Sequence, residues 1–277
     1  MIPLSFTYST QGAALMASIC SIIEYIDRFL EIDQIKDYCP NGLQVDSGVF
    51  EVDESGVEKD VRIITAVSVN RELIDYAVSV GCDLIISHHG FFWKGEPAPL
   101  VGVKGGRIRM LMQNRISLCA YHLPLDIHPE IGNNILLLER LGLSHDGGFN
   151  RIGRYDGCLV GRFERPHSVS DFSEIISQQL GREPRVIDGG NGRDISRVAI
   201  CTGAAQDYIE DAANAGVDAF ISGEISERTP HLAKELGVHY FAAGHHATEI
   251  FGIEALGKHV SDKFAVKVEF ANVGNPV

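Results

Sequence analysis

The sequence predicts an α/β fold built from two related βαβ units, and three observations carry that prediction. Apolar runs such as Cys82–Ser87 are continuous rather than alternating, as in parallel strands covered on both faces. Stretches of helical period separate these runs. The chain also repeats itself: "RIITAVSVNRELIDYAVSVGCDLIISHHG" from Arg62 aligns without gaps on "RVAICTGAAQDYIEDAANAGVDAFISGEI" from Arg197.

Residues 1–16 read as an N-terminal extension, because no helical face is present before Met16. A helix is predicted just after it, with Ile19, Ile22, Ile23, Ile26, Phe29 and Leu30 on one side. Each repeat then reads as a strand, a helix closed by glycine (Gly81, Gly216), an aspartate (Asp83, Asp218) and a second strand ending at Ser87 or Ser222. Each continues through a helical stretch ("GGRIRMLMQNR"; "ERTPHLAKELG") into another apolar strand ("ISLCAY"; "VHYFAA"). Between the halves, "NRIGRYDGCLVGRFERP" predicts short strands and "SVSDFSEIISQQLG" an amphipathic helix. The glycine-rich "DGGNGRDIS" precedes a strand and fits neither dinucleotide nor P-loop spacing, so it reads as a turn.

Composition narrows the function classes. A net charge of -13 argues against a surface built for the nucleic-acid backbone. No apolar stretch is long enough to span a bilayer, and the absence of a basic residue before Arg28 leaves no charged start for a secretory signal. Six scattered cysteines, none in a C-x-x-C pair, fit a reducing cytoplasm.

Histidines collect at predicted strand ends in both halves. The first half offers His88 and His89 in "IISHHGFFWKGEP", then His122, Asp126 and His128 in "YHLPLDIHPEIGNN". The second offers His245, His246 and Glu249 in "AAGHHATEIFG". Carboxyl ends of strands are where α/β proteins place their sites. Since neighbouring residues of a strand face opposite ways, a turn at Gly90 is expected to let both imidazoles serve one pocket. Nitrogen and oxygen donors without thiolate suit zinc, manganese, iron, cobalt or nickel, singly or as a pair bridged by a carboxylate. Helical spacing allows either His245 or His246 to share a face with Glu249 and does not choose between them. The same residues also suit helix caps and loop hydrogen bonds. A nucleophilic reading of Ser87 with a histidine and Asp126 lacks the G-x-S-x-G elbow and leaves the second half without a role.

Taken together, "NGLQV" at Asn41–Val45, "HHGFFWKGE", "HLPLDIHPEIGNN", "GVDAFISGEIS", "AAGHHATE" and the final "NP" resemble the Nif-three-like family, also called GTP cyclohydrolase 1 type 2 homologues, and most of all its bacterial YbgI-type members. The resemblance runs from about Ser18 onward. It implies two interlocked α/β domains, 17–145 joined by the C-terminal 244–277, and 146–243, with a metal site at their junction. It further implies two divalent ions per chain (zinc, iron or manganese) held by His88, His89, Asp126, His245 and a bridging Glu249, and a homohexameric ring. Family members commonly carry an aromatic residue in place of His246, which drops out of the ligand set; His122 lies near the metals. The function so implied is a metal-dependent hydrolase acting on a small heterocyclic or nucleotide substrate, with His122 as general acid/base and Trp93 and Lys94, together with Phe91 and Phe92, offering a stacking and anion-binding surface. The alternative is a metal-carrying ring that binds a protein partner without turnover.

Overall fold

The computed structural model describes residues 18–48, 61–190 and 192–277; the predicted extension 1–16 lies outside them. Strands form where the apolar runs are. In chain order they are β1 (Gly42–Val45), β2 (Arg62–Ser68), β3 (Leu84–His89), β4 (Ser117–Ala120), β5 (Ser144–Ile152), β6 (Tyr155–His167), β7 (Arg185–Ile187), β8 (Ile195–Cys201), β9 (Ala219–Ser222), β10 (His239–Ala242) and β11 (Lys267–Phe270). They assemble into two sheets, ordered β1-β4-β3-β2-β11 and β5-β6-β8-β9-β10-β7.

The internal repeat is visible in the pairing. β2, β3 and β4 run parallel in the first sheet, as β8, β9 and β10 do in the second. Alternating residues of β2 feed opposite faces: Ile63 and Val67 pack with the helices at Ile19–Phe29 and Ile250–Phe264, while Ile64 and Ala66 pack with Arg71–Ser79 and Gly102–Gln113. The second sheet is covered likewise, by Asn133–Arg140 and Val169–Leu180 on one face and by Ile209–Asn214 and Thr229–Leu236 on the other. Two three-layer α/β units result.

Two segments stitch the units together. The helix Ile250–Phe264 puts Phe251 into the core of the second sheet and Ile253, Leu256 and Val260 into that of the first. The chain then returns to the first sheet as β11, parallel to β2.

The link between the repeats departs from expectation. Instead of short strands it forms a long antiparallel hairpin, β5 and the 13-residue β6, turning at Gly153. Glycines and Pro166 look like breakers in the sequence, but Gly157 and Gly161 sit where a Cβ would strike the Asn150 carbonyl and the Leu143 side chain. Close backbone approach, not strand termination, explains them.

Candidate metal centre

β3 carries His88 and His89 to the seam between the units. Both belong to the strand itself rather than to a turn at Gly90, yet their rings lie 4.6 Å apart, tilted by 44°. Gly90 has a different use: a Cβ there would fall 2.3 Å from Gln44 Oε1, which accepts the Phe91 N–H. Beyond β4, a single helical turn (Leu123–Asp126) presents His122 and Asp126. Beyond β10, the turn His245–Thr248 presents His245 and leads into Glu249.

These side chains meet. His88 Nε2 lies 3.5 Å from both Asp126 Oδ1 and Glu249 Oε1, while Glu249 Oε2 lies 3.2 Å from His89 Nε2 and 3.1 Å from His245 Nε2. Despite that proximity, His88 Nε2 and Glu249 Oε2 have no hydrogen-bond partner. Buried polar atoms are seldom left so. Donor atoms bound to one ion at about 2.0–2.2 Å stand about 3–3.5 Å from one another, so the spacing is that of a coordination shell. Two donor groups capable of holding a metal ion, His88/Asp126/Glu249 and His89/His245/Glu249, share one carboxylate; a third, His88/His89/His122, adjoins them.

A second layer orients the donors. His88 donates Nδ1–H to the Tyr121 carbonyl (2.9 Å) and His245 donates Nδ1–H to Glu224 Oε1 (2.7 Å), so in each Nε2 faces the cluster. His89 Nδ1 contacts Ser68 Oγ at 3.0 Å. Asp126 Oδ1 accepts from Asn133 Nδ2 and Thr202 Oγ1. His122 Nδ1 donates to Asp37 Oδ1 (2.8 Å), and Asp37 Oδ2 accepts from the Leu123 N–H and Asn41 Nδ2.

Electrostatics follow from burial and close packing of charge. Burial depresses His88 and His245, but the carboxylates of Asp126 and Glu249 around the first, and of Glu249 and Glu224 around the second, more than offset it and hold each at about 9. Burial drags His89 down to about 3, against Glu249 and with help from the neighbouring histidines. Burial would raise Glu249, yet His88, His89 and His245 keep it well below the usual carboxylate range. Asp126 is raised, mainly by burial. A metal ion bound among these donors would offset the buried carboxylate charge in the way the protons on His88 and His245 do.

Other sequence-named residues fall differently. His246 is outside every donor group; its Nε2 contacts Asn272 Oδ1 at 2.9 Å and its N–H donates to the Val277 carbonyl. His128 packs against Phe29 with the rings tilted by 37° and caps its own loop, accepting from the Glu130 and Ile131 N–H groups. Trp93 packs edge-on to His122, centroids 4.9 Å apart. Phe91 is buried in the core, with Phe92 against it, so of the three aromatics only Trp93 faces the site. Lys94 is exposed and is not part of the cavity wall. Asp37, Glu224, Asn133 and Thr202 escaped the sequence reading, although the first three sit in or beside the motif strings.

Above the cluster opens a cavity of about 1170 Å³, lined from both halves and including His89, Trp93, His122, Asp126, His245 and Glu249. No helix among the described residues is long and apolar enough to cross a membrane.

The family model described as Duf34/NIF3 (NGG1p interacting factor 3) matches residues 17–276. The chain belongs to the Duf34/NIF3 family. It is 43% identical over 259 residues to a protein of Pseudomonas aeruginosa named GTP cyclohydrolase 1 type 2 homolog, covering 94% of this chain and 98% of that one. A protein of Vibrio cholerae with the same name is 47% identical over 244 residues, covering 88% and 93%. Among solved structures, the protein ybgI superposes with a TM-score of 0.86 at 39% identity, covering 94% of this chain and all of that one. Reduced HcgD from Methanocaldococcus jannaschii superposes at 0.77 with 26% identity, covering 92% and 97%. The family read from the motifs and its two-sheet α/β fold are therefore those of this Duf34/NIF3 protein.

Proposed function

We propose that this Duf34/NIF3 protein binds two divalent ions per chain, zinc, iron or manganese, and acts as a hydrolase on a small heterocyclic or nucleotide substrate. The observation that supports this most directly is the sharing of Glu249 by two donor groups, His88 with Asp126 on one side and His89 with His245 on the other. Divalent ions held by these five ligands supply Lewis acidity and bring the pKa of water toward neutrality.

The chain's own groups do the rest. Asp37 holds the proton of His122 on Nδ1, which turns Nε2 toward the cluster as the atom that gives or takes a proton. Trp93 offers a flat wall beside it. The open cavity speaks for turnover over passive metal carriage, since a carrier's shell is closed by protein ligands. The relatives' names make a guanine nucleotide the first substrate to try. Assembly as a homohexamer in the cytoplasm completes the proposal.

The test begins with elemental analysis of protein purified without chelator and after reconstitution. Metal-loaded protein is then incubated with guanine nucleotides and a broad metabolite mixture. Asp126→Ala is expected to lose metal and turnover together. His122→Ala is expected to keep its metal and slow by about a hundredfold or more. Absence of metal uptake removes the proposal; metal uptake without consumption of any compound leaves the partner-binding ring as the better account.

A further inference from the structure

The cavity wall changes sign away from the metal donors. The chain has 37 acidic and 24 basic residues, so an unselected wall would be acidic. Yet apart from Asp126 and Glu249, its Asp, Glu, Lys and Arg side chains are Lys36 and Arg151 alone. They come from opposite halves, Lys36 from the segment before β1 and Arg151 from the end of β5. Lys36 is exposed and has no ion pair among the described residues. Arg151 is tethered through Nε to Asp156 Oδ1 (3.1 Å) and through Nη1 to the Arg154 carbonyl (2.6 Å), which leaves Nη2 uncommitted on a guanidinium already held in place. Such a donor loses little further freedom on binding an anion.

Aromatic surface lies on the same wall. Tyr38 and Tyr208, one from each half, are 58% and 37% exposed, which for side chains of this size marks open surface. Burial, and next the neighbouring Tyr38, push the Tyr208 hydroxyl up to about 12, and the two side chains line the same cavity from opposite sides of the seam. At about 1170 Å³ the cavity exceeds the 300–1000 Å³ usual for a drug-sized ligand, leaving room beyond whatever occupies the donor cluster.

We infer that Lys36 and Arg151 form a recognition subsite for a phosphomonoester carried on a flat ring, whose other end reaches the donor cluster. Two cations lining one cavity suit a dianion: a phosphomonoester carries about −1.5 to −2 at neutral pH, against −1 for a carboxylate. Arginine supplies the directional donor and lysine the point charge. Lys94, which the sequence singles out for anion binding, stands outside this wall. The inference rests on the proposed metal site only for the position of the ligand's reacting end; the anion contact is independent of it.

Calorimetric titration of zinc-loaded protein at low salt tests this, using the four common ribonucleoside 5′-monophosphates, each against its own nucleoside. At least one monophosphate is expected to bind about tenfold or more tightly than its nucleoside. Lys36→Ala combined with Arg151→Ala is expected to erase that advantage without changing metal content, while Lys94→Ala retains it. If no monophosphate outbinds its nucleoside, or if the double variant keeps the advantage because phosphate sits on the metals, the subsite is overturned. Metal analysis of the same samples keeps the two readings apart: protein without metal defeats the proposed centre but leaves the monophosphate-to-nucleoside ratio readable.

Discussion

Glu249 is 2% exposed, carries charge, and has one oxygen turned to each donor group. A carboxylate so buried persists only with cations around it, and the residue next to the opposing ligand, His246, is tied instead to Asn272. Glu249→Gln is therefore expected to lower metal affinity by more than about a hundredfold for both ions, whereas His246→Gln leaves occupancy nearly unchanged; dialysis against a metal buffer measures both. The reverse outcome would assign the wrong histidine to the centre. The pH response has a defined sign. In metal-free protein His88 and His245, raised to about 9 from about 6.5, stabilise the fold fully below about pH 6.5 and lose that contribution as pH rises through about 9. His89, lowered to about 3, works oppositely, contributing above about 6.5 and failing as pH falls below it. Between about pH 6.5 and 9 His89 is neutral whether the chain is folded or unfolded and adds no slope, so His88 and His245 alone make metal-free stability fall over that range, while metal affinity rises because fewer protons must leave. The gap in Tm between zinc-loaded and metal-free protein is thus expected to widen over that range, and a gap that narrows would contradict the protonation states derived for His88 and His245.

At the scale of elements, the loop after β8 shows how backbone shapes the site. Gly203 has φ +68°, and a Cβ there would stand 2.2 Å from Glu249 Oε1. Its N–H donates to Thr248 Oγ1 and its carbonyl accepts from the Gly223 N–H, so the loop cannot step aside without breaking both. Gly216, at φ +70°, has open space in its Cβ direction, with nothing nearer than Arg197 Nη1 at 3.5 Å. Gly216→Ala is expected to cost about 1–2 kcal/mol from left-handed backbone alone and to keep its metal. Gly203→Ala carries the same strain and also displaces the Glu249 carboxylate, so it loses metal as well. Denaturant unfolding with metal analysis separates the two, and equal metal content in both variants would show that Glu249 does not depend on this close approach. The C-terminal tail is the other shaping element: after β11 it runs back to the second half, where His246 binds Asn272 and the Val277 carbonyl beside His245.

At the scale of the whole molecule, the helix Ile250–Phe264 begins right after Glu249 and packs into both cores, coupling the predicted bridging ligand to the relative placement of the two sheets. Its Gly252 N–H donates to Asn133 Oδ1, and Asn133 Nδ2 in turn donates to Asp126. Assembly enters here as well. Light scattering at micromolar concentration is expected to give about six times the chain mass of 30.3 kDa. A monomer would discard the ring, and with it any partner-binding role that depends on it.

Local chemistry was enough for the two βαβ units, the strand-end histidines and the carboxylates near them. Continuous apolar runs and glycine stops act over a few residues, and both copies of the repeat report the same pattern. The long hairpin was misjudged because a glycine admitted for close approach looks, residue by residue, like one that ends a strand. Only the tertiary structure paired Asp37 with His122, 85 residues apart, and Glu224 with His245, 21 apart. It likewise put Lys36 and Arg151, in place of Lys94, on the cavity wall. The physical reason is common to all of these: residue type states what a side chain can bond, but which partner it meets across the seam is set by how two separately folded sheets are joined, and that depends on contacts distant in sequence.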